Sequence, residues 1–335
     1  MKIFVMSLVT GLFLTTLALA ENPLVTNIYT ADPEARVYGD TLYVYTSHDQ
    51  PNATYWDMID WRLLSTTDMV TWKDHGSVVS LKVFPWATKW AWAPDSVYTN
   101  GKFYLVLPVD RAEIGVAVGD TPDGPFKDAI GKPLIDKKIM PDAGEEPIDP
   151  AVLIDDDGQV YLYFASRTPK VVKVDPSMTK LAGPIHDISL LDAKGQPVPV
   201  AKSGAQPVLP EGYGEAPFMF KRGSKYYFVY SNGWDKTSAQ VYAMGDNPMG
   251  PFTYAGPVME HAAGVTQHGS VIDFHGKWYV FYHNTDLSKG NSFRRSVCCD
   301  ELTFDKDGKI NMVKATKQGP AANPGPTTAP ATTKP

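Results

Sequence analysis

Three acidic residues of this sequence stand directly before a proline or one residue earlier. They occur in the segments Ala31-Asp32-Pro33, Ile148-Asp149-Pro150 and Glu215-Ala216-Pro217. Two carboxyl groups across a cleft can break a glycosidic bond when one is ionised and the other donates a proton to the departing oxygen. A third carboxylate nearby raises the pKa of the proton donor. The three acids therefore predict this chemistry, provided that the fold brings them together.

An internal repeat indicates which fold could do so. A glycine turn followed by a short aromatic strand occurs five times, about 60 residues apart, with aligned tyrosines at Tyr43, Tyr104, Tyr161, Tyr227 and Tyr279. A second short strand precedes each turn, so every unit contains a hairpin and has room for four strands. The sequence therefore predicts an all-β fold, a five-bladed β-propeller. A β-sandwich would explain the short strands but not five copies in phase.

The repeat also predicts which side chains meet. Eleven or twelve residues before the aligned tyrosines stand Asp32, Trp92, Asp149, Glu215 and His268. The first strand of a propeller blade runs along the central channel, so these five residues should converge there. A single Asp-Pro could merely open a turn. Three acids in register are harder to explain that way. Like charges crowded in a channel destabilise the fold, so their presence indicates a catalytic or binding role.

Tryptophans supply candidates for binding a sugar face. Trp92 is the favoured candidate for binding sugar, because it occupies the repeat position whose side chains should face the axis. We also predict substrate contacts for Trp72 and Trp234. Trp86 and Trp90 are further candidates, although several of these indoles are expected to belong to the cores of the blades.

Composition excludes several classes of protein. The chain has 335 residues, 43% of them hydrophobic, and a net charge of -6. This profile excludes disorder over most of the length and argues against nucleic-acid binding. Its adjacent cysteines, Cys298 and Cys299, cannot provide a disulfide framework. We therefore expect a folded protein. That it acts as a monomer is a separate expectation, which the composition does not establish.

The two ends of the chain differ from its middle. Residues 1–20 combine a basic start, an apolar run and the exit Ala18-Leu19-Ala20, which predicts a signal peptide cleaved near Ala20 and export of the protein. A membrane anchor is the alternative, but the run is short for a span of ~20 residues, and no other stretch is long and apolar enough to cross a membrane. The Pro- and Thr-rich residues 319–335 predict a flexible tail, which leaves 21–318 for the catalytic propeller.

Six short motifs together resemble glycoside hydrolase family 43. They appear in the family's order and spacing, from about Asn22 to about Lys317. The motifs are Tyr29–Pro33, Thr67–Trp72, Trp90–Asp95, Ile148–Pro150, Gly214–Pro217 and His268–Ser270.

This resemblance implies an inverting mechanism on a five-bladed propeller. It implies that Asp32 is the general base, Asp149 the residue that tunes a pKa, and Glu215 the general acid. Arg294 resembles the family's substrate-contacting channel arginine, with Arg295 as the alternative. No cofactor is implied for the chemistry. His268 resembles a histidine that helps to hold a structural calcium ion with its waters; alternatively it is a neutral residue bonded to Glu215 or water.

The substrate implied by the resemblance is a plant cell-wall oligo- or polysaccharide such as arabinoxylan or arabinan. The expected activity is exo-acting removal of L-arabinofuranosyl or D-xylosyl residues. A β-xylosidase acting on xylo-oligosaccharides, an endo-arabinanase and a non-catalytic sugar-binding propeller are the alternatives. The three acids count against the last of these, because binding alone gives no reason to crowd charge in a channel.

Overall fold

A computed structural model describes residues 20–140, 145–198, 210–262 and 264–325. Its strands form five largely antiparallel sheets, each built from consecutive strands of the chain and arranged as the blades of a propeller. The predicted all-β, five-bladed fold is confirmed. Residues 1–19 of the predicted signal peptide and residues 326–335 of the predicted tail lie outside the described residues. Within the described part, no helix is long and apolar enough to span a membrane.

The first two blades contain nine strands. They are β1 Tyr29–Tyr38, β2 Thr41–Asp49, β3 Asp60–Thr66, β4 Lys73–Ser80, β5 Asp95–Thr99, β6 Lys102–Val109, β7 Glu113–Gly119, β8 Lys127–Asp128 and β9 Ile135–Asp136. Short 3-10 helices follow β4 and β9, at Leu81–Val83 and Lys137–Ile139.

In the part of the chain that the structure describes, the other three blades contain thirteen strands. They are β10 Ala151–Ile154, β11 Val160–Phe164, β12 Lys170–Val174, β13 His186–Asp187, β14 Leu190–Leu191, β15 Glu215–Arg222, β16 Lys225–Ser231, β17 Gln240–Gly245, β18 Phe252–Pro257, β19 Ser270–Phe274, β20 Lys277–Asn284, β21 Ser296–Phe304 and β22 Ile310–Asn311. The short strand β14 pairs in parallel with β18 and adds a fifth strand to the fourth blade.

Glycine turns set the repeat. Each blade joins its first two strands through a glycine with positive φ, between 60° and 80°, at Gly39, Gly101, Gly158, Gly223 and Gly276. A side chain with a Cβ is strained in this conformation, so the turn favours glycine. The aligned tyrosines follow on the second strand of each blade, which places the same side chain at the same depth in all five.

The core consists of five apolar layers, one between each pair of neighbouring blades. Alternation along a strand divides its side chains between two layers. In β11, for example, Leu162 packs toward the second blade and Tyr163 toward the fourth. Cys298 and Cys299 are both buried free thiols that face the layers on opposite sides of the fifth blade. Burial of both sheet faces holds every first strand close to the axis.

A buried ion pair ties several blades together along the channel. Arg36 of the first blade donates from Nε to Asp95 Oδ1 of the second over 2.9 Å, and also bonds Asp95 through Nη2. Arg36 reaches the carbonyl of Val152 in the third blade at 3.0 Å, and Asp95 accepts from the Val152 amide at 2.6 Å. The Asp95 side chain is fully buried. It is therefore a structural residue, although it belongs to one of the six motifs.

We predict that Asp95→Ala destabilises the protein by about 3–5 kcal/mol, because it leaves the Arg36 charge buried without its partner. Urea unfolding measures the change. Asp120→Ala, which removes an exposed ion pair with Lys102 from the same blade, is the control and should leave the urea midpoint unchanged. Equal midpoints for the two variants would contradict the structural role of Asp95.

The packed body extends further along the chain than the sequence predicted. The boundary at residue 318 is too early, because residues 319–325 lie against the propeller. The Asn323 amide donates to the Asp68 carbonyl of the first blade at 2.8 Å, and its side chain bonds the Phe274 carbonyl and Tyr279 hydroxyl of the fifth. This segment therefore spans the seam where the ring of blades closes.

Candidate active site

All five residues predicted at the axis line one pocket at the end of the channel. Asp32, Trp92, Asp149, Glu215 and His268 border it together. They come from or just before the first strands of five different blades, which neighbour one another around the axis. The structure therefore brings together three acids that lie 66 or more residues apart in the sequence.

The backbone next to each proline aims these acids. Asp32, Asp149 and Ala216 each precede a proline and have positive φ values of 51°, 53° and 57°. Such a conformation costs about 1–3 kcal/mol at a non-glycine residue and is typical of functional sites. In the fourth blade the strained residue is Ala216, so the acid, Glu215, lies one position earlier than in the other two blades. The three carboxyl groups thus approach the pocket from inequivalent backbone positions.

Asp32 is held as an anion. Its carboxylate accepts hydrogen bonds from Arg295 Nη1 and Ser47 Oγ, both at 2.7 Å, and its amide donates to His283 Nδ1 at 3.2 Å. Burial alone would raise the pKa of the Asp32 carboxyl. The positive charge of Arg295, with smaller contributions from the His283 and His268 rings, instead lowers this pKa to about 2. Asp32 is therefore ionised at neutral pH and suited to accept a proton.

Asp149 and Glu215 have the opposite electrostatic character. Burial, followed by repulsion from the Asp32 carboxylate, raises the pKa of Asp149 to about 7. Burial and the charges of Asp149 and Asp32 raise the pKa of Glu215 well above its usual range. Asp149 Oδ2 also accepts from the Ala216 amide at 3.0 Å, next to Glu215 in the chain. The pocket thus pairs an ionised acid with one that keeps its proton.

Of the two candidate arginines, the structure places the alternative, Arg295, at the pocket, whereas Arg294 does not line it. Arg295 is buried, and its guanidinium bonds both oxygens of Asp49, with Nε to Oδ2 at 2.9 Å and Nη2 to Oδ1 at 2.8 Å. Arg294 points the other way, over the Tyr29 ring at 5.9 Å, and reaches the Pro51 carbonyl at 3.4 Å. Only Arg295 meets the carboxylates that burial of its charge requires.

Two of the three predicted tryptophans line the pocket. Trp92 stacks on Trp90 with ring centroids 5.8 Å apart, and its indole nitrogen donates to the Trp56 carbonyl at 2.7 Å. Trp234 borders the pocket too, with the Arg167 guanidinium 5.5 Å from its ring centroid. Trp72 is wrongly predicted, because it packs edge-on against Phe281 at 6.0 Å in the apolar layer between the first and fifth blades.

Several pocket residues were not found by sequence reasoning. Ser47, which bonds Asp32 from behind the pocket, was not found either. It occupies the same face of β2 as Asp49, the partner of Arg295, and this two-residue spacing is a usable signal. Arg111, Glu146 and Tyr55 come from segments between strands, and no repeat fixes their phase.

Few side chains near His268 could join it in binding a metal ion. Its Nε2 lies 3.3 Å from Glu34 Oε1, and Glu34 Oε2 is buried without a hydrogen-bond partner. Burial lowers the pKa of His268 to about 4, so its ring is neutral and free to offer a lone pair. An orphaned carboxylate oxygen fits a hard cation. Among the described residues, however, no group of three or more acidic, histidine or cysteine side chains is placed to hold a metal ion.

Comparison with known proteins identifies the family. The model of the glycosyl hydrolases family 43 matches residues 20–310. The chain belongs to glycoside hydrolase family 43. Family 43 members are glycosidases, so the resemblance carried by the six motifs and the predicted enzyme class are both confirmed.

Alignments with relatives in family 43 extend over nearly all of the propeller. The chain is 37% identical to the xylosidase/arabinosidase 43A of Humicola insolens, over 86% of this chain and 98% of that protein. It is 32% identical to an arabinoxylan arabinofuranohydrolase of Paenibacillus polymyxa, over 89% of this chain and 52% of that protein.

A solved family 43 structure has the same fold. It is a β-xylosidase/α-arabinofuranosidase from a compost microbial metagenome, crystallised in a calcium-free form with xylotriose. The chain is 35% identical to it, with a TM-score of 0.78 over 89% of this chain and 98% of that one.

Proposed function

We propose that this family 43 glycosidase is exo-acting and inverting, and that it removes terminal L-arabinofuranosyl or D-xylosyl residues from plant cell-wall glycans such as arabinoxylan. The observation that carries the proposal is that Asp32 and Glu215 line one pocket, where the surroundings lower the pKa of Asp32 and raise that of Glu215. The names of the relatives pair the two sugars. These sugars present similar hydroxyl arrangements, so one pocket can accept either.

In the proposed mechanism, Asp32 removes a proton from a water molecule on one face of the sugar. Glu215 donates its proton to the glycosidic oxygen on the other face, and the bond from the anomeric carbon to that oxygen breaks. Asp149 keeps Glu215 protonated until the bond breaks, because its negative charge raises the pKa of the acid. Ser47 and Arg295 orient the base through hydrogen bonds to its two oxygens. No step draws on a cofactor.

Three measurements test this function. Turnover of aryl β-D-xyloside and aryl α-L-arabinofuranoside establishes which sugar is accepted, and product analysis on arabinoxylan, arabinan and xylo-oligosaccharides separates exo from endo cleavage. Proton NMR of the first product reports its anomeric configuration. Retained configuration would overturn the inverting mechanism, and absence of turnover together with retained glycan binding would favour a sugar-binding protein.

We predict that Asp149→Asn moves the alkaline limb of the kcat/KM profile to lower pH by about one unit. Activity falls as pH rises through the pKa of Glu215, since the acid then loses its proton. The substitution removes a negative charge that raises this pKa, so the loss begins at lower pH. Asp246→Asn, an exposed residue paired with Lys225, is the control. An unmoved alkaline limb in Asp149→Asn would show that Asp149 does not tune Glu215.

We propose that Glu34 and His268 contribute to a structural calcium site, with water completing the coordination. Burial and the charge of Asp95 raise the pKa of Glu34 well above its usual range. A bound cation would counteract both effects by stabilising the negative charge of the Glu34 carboxylate. Calcium should then raise the melting temperature of the wild type and have no such effect on Glu34→Gln. An equal response in both proteins would remove Glu34 from the site.

We further propose that residues 1–20 direct export and that the mature protein is a monomer. Amino-terminal sequencing of exported protein should begin at Glu21, and light scattering should give the mass of one chain. Retention of residues 1–20, or the mass of a dimer, would contradict the respective proposal.

A further inference from the structure

An arginine–glutamate pair stands at the pocket wall. It transfers no proton in the proposed mechanism, although the charge of Glu146 adds a small share to the raised pKa values of Asp149 and Glu215. Arg111 Nη2 donates to Glu146 Oε1 at 2.5 Å, and Arg111 Nη1 donates to the Tyr55 hydroxyl at 3.1 Å. The guanidinium carbon lies 5.5 Å from the centroid of Trp92. We propose that Arg111 and Glu146 bind hydroxyl groups of the leaving-group sugar, the unit on the far side of the bond being cleaved. This inference rests on the proposed function.

Depth in the pocket supports the assignment. The side chain of Asp32 is 7% exposed, whereas that of Arg111 is 37% exposed and that of Glu146 17%. The sugar to be released must lie against the buried acids. The rest of an exo-acting enzyme's substrate extends toward solvent, past the more exposed residues. The pair therefore lies along the path of the leaving-group sugar.

The chemistry of the pair matches two neighbouring hydroxyl groups. Guanidinium N–H groups only donate, and a carboxylate only accepts. A sugar diol does both, so one hydroxyl oxygen can accept from Arg111 while a neighbouring O–H donates to Glu146. The Trp92 ring beside the guanidinium offers an apolar surface for the sugar face and keeps the guanidinium fork in one orientation.

The segment that carries Glu146 is fixed from behind. The ammonium group of Lys170, which is fully buried, lies 2.8 Å from Glu145 Oε2 and 2.6 Å from Asp187 Oδ1. The Glu146 carbonyl accepts from the amides of Ile148 at 2.9 Å and Ser166 at 3.1 Å. Glu146 is thus preorganised, which reduces the entropic cost of binding a hydroxyl group.

The experiment compares substrates that share the released sugar but differ in the leaving group. kcat/KM is measured on xylobiose and on 4-nitrophenyl β-D-xyloside, with 1,5-linked arabinobiose and 4-nitrophenyl α-L-arabinofuranoside as a second pair. Nitrophenol lacks the sugar hydroxyl groups. In Arg111→Ala the ratio of kcat/KM for the disaccharide to that for the aryl glycoside should fall about 10- to 100-fold, the value of charge-assisted hydrogen bonds.

Matched variants separate recognition from structure. Arg111→Lys keeps the charge but loses the fork, and Glu146→Gln keeps an acceptor but loses the charge, so both should lower the same ratio by less than Arg111→Ala. Lys225→Ala, which removes the exposed ion pair with Asp246 on the fourth blade, should leave the ratio unchanged.

Each remaining outcome has one meaning. A ratio within threefold of wild type in Arg111→Ala, whether both rates fall or neither does, overturns the leaving-group assignment alone. A wild-type protein inactive on all four substrates overturns the proposed function, and this inference with it.

Discussion

Glu215→Gln is expected to lower kcat on xylobiose or arabinobiose by about 100- to 10,000-fold, the contribution of a general acid. Glutamine preserves the shape of the side chain but has no carboxyl proton to give. The loss should be much smaller on a 2,4-dinitrophenyl glycoside, because dinitrophenolate departs without protonation. Rates on both substrates, measured with the same enzyme preparation, give the dependence on the leaving group.

A surface variant of the same chemical type provides the control for Glu215→Gln. Glu301→Gln removes an exposed glutamate that pairs with Lys277 on the fifth blade, and its rates should equal those of the wild type. Circular dichroism establishes that each variant is folded. Wild-type turnover of the disaccharide by Glu215→Gln, or equal losses on the two substrates, would remove Glu215 from the role of acid.

The fold was predictable because a repeat carries more information than any one of its strands. A single aromatic strand is compatible with many β folds. Five copies in phase, each after a glycine turn, require that the same depth be occupied in every unit. That requirement places Asp32, Asp149 and Glu215 near one axis on the sequence alone.

Phase alone does not determine the direction of a side chain. Arg294 and Arg295 lie in a segment that no repeat aligns, and a shift of one residue reverses the face. What selects Arg295 is its partners, Asp32 on β1 and Asp49 on β2, and this pairing exists only after the strands have assembled. The sequence therefore leaves Arg294 and Arg295 as alternatives, and only the tertiary contacts select Arg295.

Motif membership likewise does not distinguish a binding residue from a packing residue. Trp72 belongs to one of the six motifs, and the structure explains this position by a turn. Asp68 accepts from the amides of Val70 and Thr71 at 2.8 and 2.7 Å, and this turn directs Trp72 toward Phe281 in the neighbouring blade. A packing role can thus account for a motif residue as fully as a contact with substrate.

Asp32→Asn is expected to lower kcat by about 100- to 10,000-fold on every substrate, because an amide cannot accept the proton of the attacking water. Asparagine tolerates positive φ better than alanine does, so it suits the φ of 51° at this position and isolates the chemical effect. Since attack by the activated water is part of the single displacement whichever leaving group departs, disaccharide and dinitrophenyl glycoside should lose rate equally. This uniform loss, set beside the leaving-group-dependent loss in Glu215→Gln, distinguishes base from acid. A loss confined to the disaccharide would reverse the two assignments.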